Sequence, residues 1–284
     1  TLGALGGALL SGFVLLPGLG MEKALFAAML GYALVAGLAM VGVPAPRHQR
    51  RLLVGAFALF AVAGALYPFG LMRRHFLPLV LARYQSTKPE VVATREGLTE
   101  TVTYLRDSFR GQPLHHRLVT NGHSMSATTF RGRRYMKLYV YWALAVNPNA
   151  RKALLISYGI GSTAEALTGT RQLESIDVVD ISREILELAP IAFPGTRSPL
   201  DDPRVRVHVE DGRFFLQTTD EKFDLITAEP PPPRGAGITN LYSREYFELA
   251  RGRLRDGGVL TYWLPVNQLW LPETKAIMRG FCAA

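Results

Sequence analysis

The sequence predicts an α/β protein: a parallel, doubly wound sheet, preceded by a small β domain and by N-terminal transmembrane helices. Three observations lead there. From Lys152 onward, short apolar strands alternate with helix-length segments, the pattern of a parallel sheet with crossover helices. Between Tyr84 and Phe130 the texture is one of short runs of alternating polar and apolar residues, broken by turn signals. Residues 1–75 carry long apolar runs, six Lys/Arg and a single acid, Glu22. The expected boundaries are a membrane region over 1–75, a small β domain over 84–130 and the doubly wound domain over 131–284.

Composition limits what the protein can be. With 48% hydrophobic and 19% charged residues, an extended disordered chain is excluded. The net charge of +9 is concentrated at the N-terminus; beyond residue 75 the other 26 basic and 22 acidic residues leave only +4. No dense Lys/Arg stripe with aromatic punctuation is present, so no nucleic-acid partner is expected. The one cysteine, Cys282, excludes an intrachain disulfide and a cysteine-based zinc cluster.

The elements follow in order. Leu2–Leu16, Ala24–Val43 and Leu52–Gly70 read as three membrane spans, the second and third uncharged over the ~20 residues needed to cross a ~30 Å hydrocarbon core. The first is shorter, and because the chain opens at Thr1 without a methionine its beginning is expected to lie upstream. A signal peptide fits poorly, since there is no basic n-region and further apolar runs follow. Three spans put Arg47, Arg50 and Arg51 on one side and Lys23, Arg73, Arg74 and Arg83 on the other. The resulting expectation is a multi-pass protein of the inner or plasma membrane, with its soluble part cytoplasmic.

Val91–Thr94, Thr101–Leu105 and Leu114–Thr120 read as short strands, with Asn121-Gly122 as a hairpin turn. His115, His116 and His123 lie there without an acidic partner at ligand spacing and read as solvated, so no metal is expected. Tyr135–Val146 reads as a helix closed by Asn147-Pro148-Asn149. Lys152–Ser157 is a strand, followed by Gly159-Ile160-Gly161 and a small-residue helix. Ser175–Asp180 is a strand backed by a helix over Ser182–Ala192. Arg204–Val209 and Phe223–Ala228 are further strands, Ser243–Leu254 a helix, and Val259–Leu264 the last strand.

In such sheets a ligand lies beyond the carboxyl ends of the strands, near the topological switch point. Gly159 and Gly161 would let a ligand approach the backbone at a helix N-terminus, or would serve only a tight turn. Asp180 could accept both ribose hydroxyls, or open the following helix. Asp211 and Gly212 could meet an adenine amino group, or form a plain turn. Their order at successive strand ends favours a nucleoside site. Glu229 ends the fourth strand, before Pro230–Pro233, whose lack of N–H groups makes a stiff rim. A carboxylate there faces the crevice and could act as a base.

At this point the sequence resembles the spermidine synthase family, particularly a branch with transporter-like N-terminal helices. The likeness is carried by Leu154–Thr163, Val178–Ser182, Asp202–Arg213, Asp224–Pro233 and above all Leu241–Leu264, with its Leu241-Tyr242-Ser243-Arg244-Glu245-Tyr246-Phe247 and Leu254-Arg255-Asp256-Gly257-Gly258. The resemblance implies a Rossmann-like, S-adenosylmethionine-methyltransferase-type sheet that binds decarboxylated S-adenosylmethionine and moves its aminopropyl group to a diamine. It places Asp180 on the ribose, Asp211 on the adenine, Glu229 as the catalytic acid position and Tyr135 as the active-site tyrosine.

Departures qualify it. Ile160 stands where the family has an Asp beside the aminopropyl ammonium, and Pro232 where it has a second acid. Met125 replaces a Gln, Arg131 and Lys137 stand where the family's Asp-Glu-x-x-Tyr-x-Glu segment carries acids, and Arg133 and Arg134 add to the basic residues around Tyr135. The resulting expectation is a membrane-anchored transferase using decarboxylated S-adenosylmethionine or S-adenosylmethionine, with an unidentified acceptor and no metal. The rivals are a methyltransferase and a catalytically degenerate nucleoside-binding domain that regulates its membrane half. Expected partners are membrane lipid, the nucleoside donor, the acceptor and a second copy in a homodimer.

Overall fold

The protein is described by a computed structural model covering residues 2–284 except Val43, Ala45, Lys88 and Ala236. Val43, the expected end of the second apolar run, and Ala45, in the turn after it, therefore lie outside the described residues. The chain forms two compact units, residues 1–86 with 96–98, and residues 87–95 with 99–284.

In the first unit, α1 (Leu2–Leu10) passes through a π-helical turn (Ser11–Leu15) into α2 (Leu16–Gly42), and α3 (Arg47–Ala65) follows. Gly20 breaks the helix, with φ 77° and ψ 169°, a backbone state open mainly to glycine. The Glu96 carboxylate accepts the Met21 N–H that this break exposes. Glu22, the one acid among residues 1–75, accepts the N–H groups of Gly70 and Met72 at 2.8 and 2.5 Å. It thereby caps the helical stretch that leads through a turn at Met72–Phe76 into α4 (Leu77–Leu81). Phe26, Tyr67 and Phe69 pack their rings beside it, with centroids 4.8–5.3 Å apart.

Three separate membrane spans are not supported by these helices. Gly20 divides Leu2–Gly42 into two helical stretches, one carrying the first apolar run and the other the second as far as Gly42, and the third apolar stretch loses its helix at Leu66. Its helix also begins in the charged turn at Arg47. Among the described residues, Leu2–Gly42 alone is long and apolar enough to cross a membrane.

The second unit opens with an antiparallel sheet of β1 (Glu90–Glu96), β2 (Thr101–Phe109), β3 (Gln112–Thr120) and β4 (His123–Ala127), in that order. Arg110-Gly111 and Asn121-Gly122 turn the chain with positive φ at both residues, the geometry that matches strand twist in two-residue hairpins. Two expectations fail in this sheet. β4 has no strong apolar alternation to announce it. The histidines are not uniformly solvated: His116 is buried, and His115 pairs with Asp107 at 2.8 Å, directly opposite it across β2 and β3.

Then come α5 (Phe130–Val146), β5 (Lys152–Ile156), α6 (Ser162–Gly169), β6 (Ser175–Asp180), α7 (Arg183–Glu187), β7 (Val205–Val209), α8 (Gly212–Thr218), β8 (Phe223–Ala228), α9 (Arg244–Gly252), β9 (Leu254–Tyr262) and α10 (Leu271–Ala283). The strands run parallel in the order β7-β6-β5-β8-β9, so the chain reverses direction across the sheet between β5 and β8. α5 starts five residues before Tyr135 because Thr129 caps it through the Gly132 N–H. α7 ends at Glu187, and Pro190 sits in a separate 3₁₀ turn, since its ring cannot continue an α-helix.

Apolar residues cover both faces of the sheet, as a parallel sheet requires. One cluster joins Val140, Leu155, Ile160, Leu167 and Val178 to Val102, Tyr104 and Leu118 of the small sheet. The other joins Leu154, Ile156 and Ile226 to Leu216, Tyr246 and Phe247. The small sheet is thus part of the same core that supports the crevice.

Candidate active site

The crevice is built at the switch point. β5 ends in Ser157-Tyr158-Gly159-Ile160-Gly161, a loop with positive φ at Ser157, Gly159 and Gly161. At Gly161 (φ +85°) a Cβ would stand 2.4 Å from the Tyr158 hydroxyl and 3.0 Å from the Phe193 ring, so both backbone state and space require glycine. Gly159 faces Ser126 of β4, whose Oγ would be 3.2 Å from an added Cβ. The small sheet therefore forms one wall of this loop.

Asp180 sits at the end of β6 and is buried. Its two carboxylate oxygens accept the N–H groups of Tyr158 at 2.8 Å and Ser182 at 2.9 Å. Burial raises its pKa to about 6, against the opposing hydrogen bonds from Ser182, Tyr158 and Gly159. Asp180 thus ties the glycine loop to the next strand end. The cap of α7 is Ser182, not Asp180. Beside it stands Glu100, just before β2, whose carboxyl faces Thr120, Ser182 and Asp180. Burial, followed by the Asp180 charge, raises its pKa to about 7. Nothing in the sequence marked Glu100, because a lone acid at a strand start has no spacing signature; only the packing of the two sheets brings it to Asp180.

Asp211 caps α8, accepting the Phe214 N–H at 2.8 Å. The helix itself was not expected, because Asp-Gly read as a turn. At Gly212 a Cβ would lie 2.4 Å from Ile156 Cγ2, so this glycine serves close packing of α8 on β5.

Glu229 follows β8, directly across the switch point from the glycine loop, and its N–H donates to the Ile156 carbonyl at 3.2 Å. Its carboxylate accepts the Thr163 hydroxyl, and burial lifts its pKa to about 7 despite that bond. Tyr135 and Tyr139, one helical turn apart on α5, pack edge to face with centroids 6.2 Å apart. Both hydroxyls are pushed up, first by burial and then by the Glu229 charge, Tyr135 to about 12. The Tyr242 hydroxyl donates to the carbonyls of Pro230 and Pro231 at 3.2 and 3.1 Å, fixing the proline rim.

The basic residues expected around Tyr135 divide. Arg133 and Lys137 both pair with Glu165 of α6, at 2.9 and 3.1 Å. Two positions along a helix turn a side chain by about 200°, away from the Tyr135–Tyr139 stripe. Arg131 and Arg134 are exposed. Among the described residues, no group of three or more His, Cys, Asp or Glu could hold a metal ion.

Comparison with known proteins fits this geometry. The Spermine/spermidine synthase domain family matches residues 133–276. The chain belongs to this family. A polyamine aminopropyltransferase of Clostridium perfringens is 34% identical over 146 residues, covering 51% of this chain and 50% of the relative. One of Streptococcus pneumoniae is 31% identical over 147 residues, covering 51% and 50%. The chain spans about half the length of the curated relatives it matches. A spermidine synthase solved in complex with the transition state analogue AdoDATO superposes with a TM-score of 0.60 at 17% identity, covering 68% of this chain and 64% of that one. That of Thermotoga maritima gives 0.58 at 18% identity, covering 68% and 63%. These two likenesses show a shared Rossmann-like fold. Residues 1–132 lie outside the family match.

Proposed function

We propose that this family member transfers an aminopropyl or related alkyl group from decarboxylated S-adenosylmethionine to an acceptor amine carrying at most one positive charge. The position of Glu229 carries the reading. It is a half-buried carboxyl at the switch point, facing Tyr135 and Tyr139, with a pKa raised to the range where a base works near neutrality. The acceptor nitrogen attacks the carbon next to sulfur, the carbon–sulfur bond breaks with its electron pair going to sulfur, and a neutral thioether nucleoside, methylthioadenosine, leaves. The proton released from the nitrogen goes to Glu229, while Tyr135 positions the acceptor. Asp180 and Glu100 hold the ribose side and Asp211 the adenine. Alignment of the reactants supplies much of the acceleration.

The limit to one charge rests on the acids. Arg133 and Lys137 turn away to Glu165, so repulsion by these two does not exclude a diamine. What disfavours one is the missing pairing: by the resemblance Pro232 and Ile160, the latter fully buried, stand where the family carries acids, which leaves Glu229 as the remaining acid of that set. A buried ammonium without a carboxylate is strongly unfavourable. With decarboxylated S-adenosylmethionine and putrescine, no turnover above background is expected, whereas monoamines should release methylthioadenosine. Spermidine formation at the rate of an ordinary aminopropyltransferase would reject the charge limit.

Ile160 favours one rival, since it removes the acid implied for the aminopropyl ammonium. Consumption of S-adenosylmethionine with release of S-adenosylhomocysteine would establish a methyltransferase. Nucleoside binding without turnover of either donor would establish the regulatory reading.

We also propose that the N-terminal unit is embedded in the inner or plasma membrane through Leu2–Gly42, with the catalytic unit cytoplasmic. Within α1, α2 and α3 only Ala24 is buried, and such a continuous exposed apolar surface needs lipid or protein cover. The protein should stay in the membrane pellet through alkaline carbonate, and the catalytic unit should resist external protease in spheroplasts. Extraction would refute insertion, and cleavage from outside would reverse the orientation.

A further inference from the structure

We infer that Thr163 is a positioning residue that holds the Glu229 carboxyl in one place through both of its protonation states, by exchanging hydrogen-bond roles between Glu229 and the Met136 carbonyl. The inference rests on Glu229 as the base of the proposed transfer. Thr163 is the second residue of α6, is 2% exposed, and its hydroxyl lies between two acceptors. It donates to Glu229 Oε1, and the Met136 carbonyl stands 3.4 Å away, also within reach of the hydroxyl.

A hydroxyl carries one proton and two lone pairs. With Glu229 ionised, that proton points at the carboxylate. When Glu229 takes the proton from the acceptor nitrogen, the new carboxyl O–H donates to Thr163 Oγ1, and the threonine proton turns to the Met136 carbonyl. In both states the Thr163 hydroxyl and Glu229 Oε1 stay paired, so the carboxyl needs no rotamer change when it is protonated. The branched side chain is stiff at χ1, which keeps Oγ1 fixed while only the hydroxyl hydrogen rotates. Met136 is also the neighbour of Tyr135 on α5, so the exchange couples the base to the helix that presents the acceptor-side tyrosines. Among the described residues, no other side chain is found donating to this carboxyl, and valine would fill the same space without the donor.

The test is an infrared titration of the full chain in lipid nanodiscs, following the protonated-carboxyl band that disappears in Glu229→Gln. Thr163→Val should move the midpoint of that band upward by up to about one pH unit, because the charge-assisted bond lost from the ionised carboxylate is stronger than the neutral bond lost from the protonated carboxyl. Thr163→Ser, which keeps the hydroxyl, should titrate like the wild type. A wild-type midpoint in Thr163→Val, or a serine variant that follows valine, would overturn the inference. Should Thr163→Val fail to fold by circular dichroism, Thr163→Ala must show the same upward midpoint. The titration involves no turnover, so it distinguishes failure of the Thr163 role from failure of the transfer reaction, which the donor and acceptor assays read separately.

Discussion

Replacing Asp180 with alanine is expected to weaken methylthioadenosine binding at least tenfold and to lower thermal stability in the same step. The two losses share a cause. Asp180 accepts the N–H groups of Tyr158 and Ser182, with Gly159 also aimed at it, and so shapes the loop against which the nucleoside would lie. Truncation leaves these donors buried and unpaired, at roughly 1–3 kcal/mol each. It also removes the acceptor proposed for the ribose. Asparagine should not rescue, because its amide NH₂ would face one of the same N–H groups. Calorimetry with methylthioadenosine reads the binding loss, and unchanged affinity in both Asp180→Ala and Asp211→Ala would reject the nucleoside site.

The pH dependence of the same site has a definite sign. Asp180 and Glu100 titrate at about 6 and about 7 in the folded protein, above their ordinary values of 3.8 and 4.5. Between those limits the folded state holds more protons than the unfolded one, so their contribution to stability falls as pH rises from about 4 to about 7. Asp180→Ala should remove its own part and lower the Glu100 pKa, since one of the charges raising it is gone. A flatter melting-temperature profile in that variant checks the coupling.

Much of this architecture is legible in the chain because parallel strands buried on both faces leave short, unbroken apolar runs. Ser175–Asp180 and Phe223–Ala228 are read to the residue for that reason, and the glycine loop and Glu229 follow from the ends of such strands. What escapes the sequence depends on three-dimensional proximity. Glu100 becomes a site residue only when the small sheet packs beside β6. His115 finds Asp107 only through the β2–β3 register. Thr163 sits in an ordinary small-residue helix, and its meaning comes from Glu229, 66 positions later. Arg133 and Lys137 show the opposite error: neighbours of Tyr135 in sequence, they lie on another face once α5 is formed. In the N-terminal apolar segments the apolar length is visible in the sequence, but the break at Gly20 and the loss of helix at Leu66 are backbone events.

The largest effect is expected at Glu229, where glutamine keeps size and the bond from Thr163 but cannot accept the substrate proton. Turnover of decarboxylated S-adenosylmethionine with a monoamine acceptor should fall by about 10²–10⁴-fold, the usual contribution of a positioned base. Nucleoside affinity should hardly change, because Glu229 lies across the crevice from Asp180. In the wild type the base must be ionised, so the rate should climb with pH through about 7, and this limb should vanish in Glu229→Gln. The kinetic parameters separate two roles for the same carboxylate. A base acts in the transition state and its loss lowers kcat and kcat/KM together, whereas an anchor for the acceptor ammonium acts in the ground state as well and its loss raises KM. Glu229→Gln with a normal kcat, a raised KM and an intact pH limb would make Glu229 an anchor. The base would then have to be sought elsewhere, and Tyr135, held at about 12 by burial and by the Glu229 charge, is a poor replacement near neutrality.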